Sequence, residues 1–342
     1  MDTSPPPPRK PELVCPAGSL RALQIAVDAG ADAVYMGLKD ATNARNFAGL
    51  NFDRNATRDA IAYAHTRGRR VFMALNTFAD ARDPAPWMRA VDIAAELGID
   101  ALILSDLAVM RYAHRMHPSL RLHLSVQASA TNHEAIEFYR ERYGIQRAVL
   151  PRVLTLPQVA SLIRHSKVEI EVFGFGSLCV MVEGRCLLSS YATGHSPNNF
   201  GACSPAAYVR WIEYPDQSVD ARLNGIQIDR FAPEEPRSYP TLCKGRFDVD
   251  GEIGYALEEP TSLNTLSILP DLMAAGVAAI KIEGRQRSPV YVEQVTRIWR
   301  LAIDACFPRP ARFAPQPAWT AALGRLAEGQ QHTLGAYSRP WK

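Results

Sequence analysis

The 342-residue chain has no run of about 18 apolar residues, so hydropathy gives no membrane-spanning helix. Its first residues, MDTSPPPPRKPE, hold neither an apolar core nor a small-residue cleavage site, and the expected location is the cytoplasm. An excess of one charge is also missing. Lys and Arg number 38 against 35 Asp and Glu, a net charge of +3, which gives no field suited to nucleic acid or an anionic membrane. Cysteine is scarce at six, and a cytoplasmic chain of this length does not rest on disulfides. Those six are packing residues, a nucleophile or metal ligands. Also absent are a C-x-x-C pair, an H-E-x-x-H helix and a complete dinucleotide fingerprint, since FGFG at 173–176 lacks its third glycine.

What is present is a repeat. Four segments join a glycine turn to a short apolar strand: GADAVYMG (30–37), GIDALILSD (98–106), GIQRAVLPR (144–152) and GVAAIKIEGR (276–285). Further strands read at 12–18, 70–76, 121–127 and 168–176, making eight. Between and after them, apolar residues at three- and four-residue spacing predict helices over 19–29, 57–67, 84–97, 107–117, 133–143, 156–165, 261–275 and 289–306. Strict alternation of eight such units predicts an α/β fold, a (β/α)8 TIM-like barrel. A doubly wound sheet would place a glycine-rich turn after its first strand, where this chain has CPAGSL with one glycine.

The alternation breaks once, after strand 7. The expected organisation is a flexible proline-rich leader at 1–11, a barrel over 12–306 with an insertion at 177–260, and a tail at 307–342 packed on the barrel. Loops that follow barrel strands form the functional face, so the insertion belongs there.

Cys15 and Cys306 read as packing residues of a strand and a helix. The other four, Cys179, Cys186, Cys203 and Cys243, all fall in the insertion, separated by 6, 16 and 39 residues, each beside glycine or proline. Four thiolates suit zinc or an iron–sulfur cluster. Open spacing and apolar neighbours such as Leu178, Val180, Met181 and Leu187 favour a shielded cluster. Two other readings stand beside it: unrelated packing cysteines, and a cysteine nucleophile with His195, although TGHSPNN reads more simply as a polar turn.

Polar residues follow several strands on the same face: Asn43, Arg45, Asn76, Gln127, Ser129, Asn132, Arg152, Glu283 and Arg285. Arg45, Arg152 and Arg285 together suit a small anionic ligand, unless each pairs with an acid such as Asp40, Glu183 or Glu283.

EVFGFGSLCVMVEGRCLLSSY resembles the signature of the collagenase-like peptidase family. CPAGSLRAL, SVQASATN, VLPRVL, GACSPAAYVRW, YPTLCKGR, EEPTSLNTL and KIEGRQRSP extend the resemblance to its UbiU branch of ubiquinone biosynthesis, from about Glu12 onward. The resemblance implies oxygen-independent hydroxylation of the aromatic ring of ubiquinone precursors, not proteolysis. It also implies a [4Fe-4S] cluster on Cys179, Cys186, Cys203 and Cys243, and a heterodimer with a homologous UbiV-like subunit. Prephenate is the implied oxygen donor, and a lipid-binding accessory protein the implied carrier of the precursor, with no nucleic acid and no membrane insertion. Arg45, Arg152 and Arg285, with Asn43, Gln127 and Glu283, are the expected site for substrate or donor. RNA-base hydroxylation and peptidase activity are the alternatives within the family, and a cluster that only staples the fold is a third.

Overall fold

Strand and helix alternate through residues 9–179 and 181–339, the part that the computed structural model of the protein describes. The barrel strands are β1 (Glu12–Pro16), β2 (Ala33–Met36), β3 (Arg70–Leu75), β4 (Ala101–Leu104), β5 (Arg121–Leu124), β6 (Ile145–Val149) and β7 (Glu169–Ser177). Between them run α1 (Leu20–Asp28), α2 (Arg54–His65), α3 (Ala85–Leu97), α4 (Leu107–Met116), α5 (His133–Tyr143) and α6 (Leu156–His165). Side chains that accept N-terminal amides start most of them: Ser19, Asp53, Asp106, Asn132 and Thr155. The cap at Asp53 starts α2 three residues before the pattern-based boundary.

The insertion follows β7. It carries α7 (Leu188–Thr193) and α8 (Pro197–Phe200), then an antiparallel sheet of β8 (Val209–Glu213), β9 (Val219–Leu223) and β10 (Ile226–Phe231). A ribbon of β11 (Arg246–Val249) and β12 (Glu252–Tyr255) completes it. The chain returns through β13 (Ser262–Asn264), α9 (Leu269–Ala275), β14 (Ala279–Ile282) and α10 (Pro289–Cys306), and ends with α11 (Pro317–Leu326) and β15 (His332–Thr333).

Seven parallel strands pair in sequence order, and β14 pairs with both β1 and β7, closing the predicted eight-stranded barrel. The helix predicted over 261–275 is corrected: its first part is β13, antiparallel to β7 (Ser262 opposite Ser177), and α9 starts only at Leu269. Backbone pairing along the unusually long β7 outweighs the helical spacing of TSLNTL there. Part of the expected leader at 1–11 meets the barrel. Pro11 is buried and Lys10 pairs with Asp304 at 2.7 Å, while residues 1–8 lie outside the described residues.

Large apolar side chains, Trp299, Leu13, Leu23 and Leu102 among them, fill the layer between helices and strands. Inside the barrel, small and aromatic residues alternate with charge. Arg147, 1% exposed, reaches Glu169 (2.7 Å), Glu12 (2.9 Å) and Glu171 (3.2 Å), and Glu171 also takes the Lys281 ammonium at 2.7 Å. Burial pushes the Glu169 and Glu171 carboxyls up, but Arg147 and Arg121 outweigh it at Glu169 and Lys281 and Arg147 at Glu171, and both end below the ordinary value of 4.5.

Arg147→Met removes the buried cation shared by three carboxylates, leaving Glu171 to Lys281, Glu12 to Arg70 and Glu169 to Arg121. It is expected to lower unfolding free energy by about 3–5 kcal/mol, read as a reduced urea midpoint. Because the folded pKa values of Glu169 and Glu171 are depressed, their contribution is full above the unfolded value near 4.5 and fades as pH falls through the folded values. Urea midpoints of the wild-type chain should therefore fall below pH 4.5 more steeply than those of Arg147→Met.

Candidate active site

The C-terminal ends of the barrel strands, with Glu183 of the insertion, line a cavity of about 60 Å³. Five of the six residues expected for substrate or donor line it: Arg45, Gln127, Arg152, Glu283 and Arg285. The sixth, Asn43, stands just behind the wall, where its Oδ1 accepts from the Arg45 amide (2.9 Å) and from Arg285 (3.0 Å).

The three arginines have different partners. Arg152 pairs with Glu183 at 2.7 Å and lies 3.7 Å above the Phe173 ring. Arg45 faces Glu283 at 3.7 Å, and Glu283 also accepts from the Ser177 amide at 3.3 Å. Those two arginines are therefore partly neutralised by the acids Glu183 and Glu283, while Asp40 instead accepts from Thr42. Arg285 is held by Asn43 and the face of Tyr35 (5.6 Å), and among the described residues no carboxylate forms an ion pair with it. Burial pulls its pKa down to about 10. Such a guanidinium is a ready anchor for a carboxylate.

Two pocket residues escaped the reading of strand ends. Lys281 lies 3.9 Å over Tyr35, and the Tyr35 hydroxyl donates to the Ile282 carbonyl at 2.9 Å. The alternation of β14 carried the signal: residue 281 faces the same way as residue 283. Burial lowers the lysine's pKa, with Glu171 opposing.

Above the pocket, the insertion docks by backbone contact. Gly184, between Cys179 and Cys186, has φ +81° and lies so close to the Gln127 carbonyl that a Cβ would sit 2.0 Å from its oxygen. Gly201, two residues before Cys203, has φ +80° and meets the Asn43 carbonyl in the same way at 2.2 Å. The Asn46 amide then donates to the Gly201 carbonyl at 3.2 Å, and Asn198 Nδ2 to the Cys186 carbonyl at 2.9 Å.

The four insertion cysteines lie near enough to influence one another's ionisation. Cys203 acts electrostatically on Cys179, Cys179 on Cys186, Cys186 on Cys203, and Cys243 feels both Cys179 and Cys203. Burial pushes all four thiols up, Cys243 to about 12. Cys179 is exposed as a residue, yet its sulfur is crowded enough for desolvation to dominate. Opposing burial are amide donors, from Met181 to Cys179 and from Leu188 and Ser189 to Cys186, and the cations Arg152, Arg45 and Lys244. Cys15 and Cys306 are buried elsewhere, as expected. His195 stacks on Phe200 at 4.5 Å and meets Tyr208 edge-on at 5.3 Å.

Among the described residues no three His, Cys, Asp or Glu side chains are close enough to hold a bare metal ion. The donor chemistry does fit a sulfur-ligated cluster. The insertion supplies four soft thiols, amides of Met181, Leu188 and Ser189 donate to two of the sulfurs, and Arg152, Arg45 and Lys244 favour the thiolate form. Val180 lies outside the described residues.

Gly201→Ala forces both a strained φ and a backbone clash. It should cost about 1–3 kcal/mol, seen as a lower thermal midpoint, whereas Gly225→Ala, with φ +84° but open space around it, should cost less.

Residues 18–338 match the profile of peptidase family U32. Among relatives, an uncharacterized protease of Methanocaldococcus jannaschii is 33% identical over 86% of this chain and 65% of its own length. tRNA hydroxylation protein P of Escherichia coli is 31% identical over 86% and 68%, and a collagenase of Porphyromonas gingivalis 31% over 86% and 66%. The chain thus spans about two thirds of the length of these relatives. With a match covering the barrel, the insertion and the tail alike, the chain belongs to peptidase family U32.

Proposed function

We propose that the protein is the iron–sulfur subunit of an oxygen-independent hydroxylase acting on the aromatic ring of ubiquinone precursors. The observation that carries this reading is the meeting of the pocket and the insertion cysteines at one guanidinium. Arg45 lines the pocket and also feels Cys203 and Cys179 of the insertion, and Arg285 in the same pocket has no ion-pair partner among the described residues. The names of relatives in Bacillus subtilis and Escherichia coli, tRNA hydroxylation proteins, support hydroxylation over proteolysis.

A [4Fe-4S] cluster held by Cys179, Cys186, Cys203 and Cys243 would supply electrons or a Lewis-acidic seat for the oxygen donor. The chain's own residues do the rest. Arg285 anchors a carboxylate of a prephenate-like donor, with Arg45 and Arg152 adding charge from their acid pairs. Tyr35, Phe173, Ile103 and Val149 offer the apolar surface against which an aromatic ring lies. The insertion covers this face and limits water. Exposed Trp211, Ile226, Ile253 and Leu257 concentrate apolar surface on the insertion, which supports a covering UbiV-like subunit in a cytoplasmic heterodimer.

The same relatives favour a second reading, hydroxylation of a tRNA base. A balanced charge of +3 weighs against it. A strain lacking the protein separates the two. Grown without oxygen, it should accumulate an unhydroxylated quinone precursor while tRNA nucleosides stay unchanged; the opposite pattern assigns the tRNA reading. Complementation with Arg285→Met should lower the hydroxylation rate by roughly thirtyfold or more, the scale of removing one buried charge–charge interaction.

A further inference from the structure

The chain after the barrel returns to the cysteine arms. Glu328, just beyond α11, receives the Ser177 hydroxyl at 2.7 Å, Arg287 at 3.2 Å and the Lys244 ammonium, while its own amide donates to Ser262 Oγ at 2.9 Å. Each partner occupies a telling place. Ser177 ends β7, two residues before Cys179; Lys244 follows Cys243; Ser262 opens β13, where the insertion rejoins the barrel; Arg287 lies in the loop after β14.

Neighbouring contacts tighten the same closure. Gly329, at φ +58°, lies so close to the Pro260 carbonyl that a Cβ would stand 2.3 Å from its oxygen. Gln331 donates to Glu259 at 2.7 Å, its carbonyl accepts from the Ser262 amide at 3.0 Å, and β15 pairs in parallel with β13. The Glu258 amide in turn donates to the Cys243 carbonyl at 3.1 Å.

Of the four cysteines, Cys243 stands furthest from the others in sequence, with 39 residues between it and Cys203. Cys186 and Cys203 are tied down by Asn198 and by the Ser189 hydroxyl, which donates to the Cys203 carbonyl. The arm bearing Cys243 is held within the insertion by Leu242 and Phe247, which pack against Leu223 and Ile228, and from outside it by Lys244 through Glu328.

From this we infer that Glu328 is a positioning residue for the cysteine site: the C-terminal strap at 328–333 clasps the Cys243 arm to the end of β7 and fixes the fourth thiol opposite Cys179. Lys244 is the handle and Glu328 the clasp. The inference rests on the reading of the four cysteines as one ligand set, not on the identity of the substrate or of the metal.

The test uses the full chain, stripped of metal and reduced, with N-ethylmaleimide as probe and peptide mass spectrometry as readout. In Glu328→Gln, labelling at Cys243 should speed up about tenfold or more relative to wild type, as expected when a charge-assisted hydrogen bond at a half-buried site is removed. Cys186 labelling should change little, and the buried Cys15 and Cys306 should stay unlabelled. Lys244→Met breaks the same clasp from the other side and should give the same pattern, which covers the case of a Glu328 variant that fails to fold. Glu328→Asp should restore part of the protection. Equal Cys243 labelling in wild type, Glu328→Gln and Lys244→Met, with Cys15 and Cys306 protected, overturns the inference. A second readout is release of iron to a chelator from the anaerobically purified chain, expected to be faster in Glu328→Gln. If that chain holds no cluster, the cofactor reading fails while the labelling contrast still decides the clasp.

Discussion

The buried carboxylate of Glu283 joins parts of the molecule that the sequence keeps far apart. It faces Arg45 from the loop after β2, accepts the Ser177 amide at the point where β7 leaves the barrel, and borders the pocket beside Arg285. Gly176 has no side chain because Glu283 takes that space: a Cβ there would stand 2.4 Å from the glutamate's own. Burial alone would drive the carboxyl towards its neutral form, but Arg45, Arg152 and Arg287 hold it below the ordinary value. With that charge fixed, Arg45 is held between the pocket and the thiols, where Cys203 and Cys179 also raise its pKa. The pocket and the insertion cysteines thereby share one guanidinium.

The barrel was legible because its determinants are local. Alternating apolar runs, helix caps such as Ser19 and Asn132, and the left-handed glycines Gly98 and Gly144 each act within a few residues. The concentration of four cysteines in one long insertion was legible too, and it sets them apart from the packing residues Cys15 and Cys306. A cluster rather than zinc is what the family resemblance implies, and the spacing alone leaves both open.

What the sequence hid depends on long-range contact. TSLNTL carries helical spacing, yet Ser262–Asn264 pairs with the far end of β7. Three arginines look alike in sequence, and only the fold shows Glu183 and Glu283 neutralising two of them and leaving Arg285 with Asn43. The charged barrel axis of Arg147, Glu171 and Lys281 also lies hidden among residues that read as ordinary strand polarity, since their partners come from four different strands. Glu328 is the extreme case, a tail residue whose partners lie 41 to 151 positions away.

The central claim is that the insertion's cysteines form one cluster site over an anion-binding pocket. Its most direct test is anaerobic purification with iron, sulfide and zinc analysis and electron paramagnetic resonance of the reduced chain. The account predicts about four irons and four sulfides per chain and a cluster signal, lost in Cys203→Ala and kept in Cys306→Ala. Stoichiometric zinc without sulfide, or iron that survives the removal of Cys203, would contradict it.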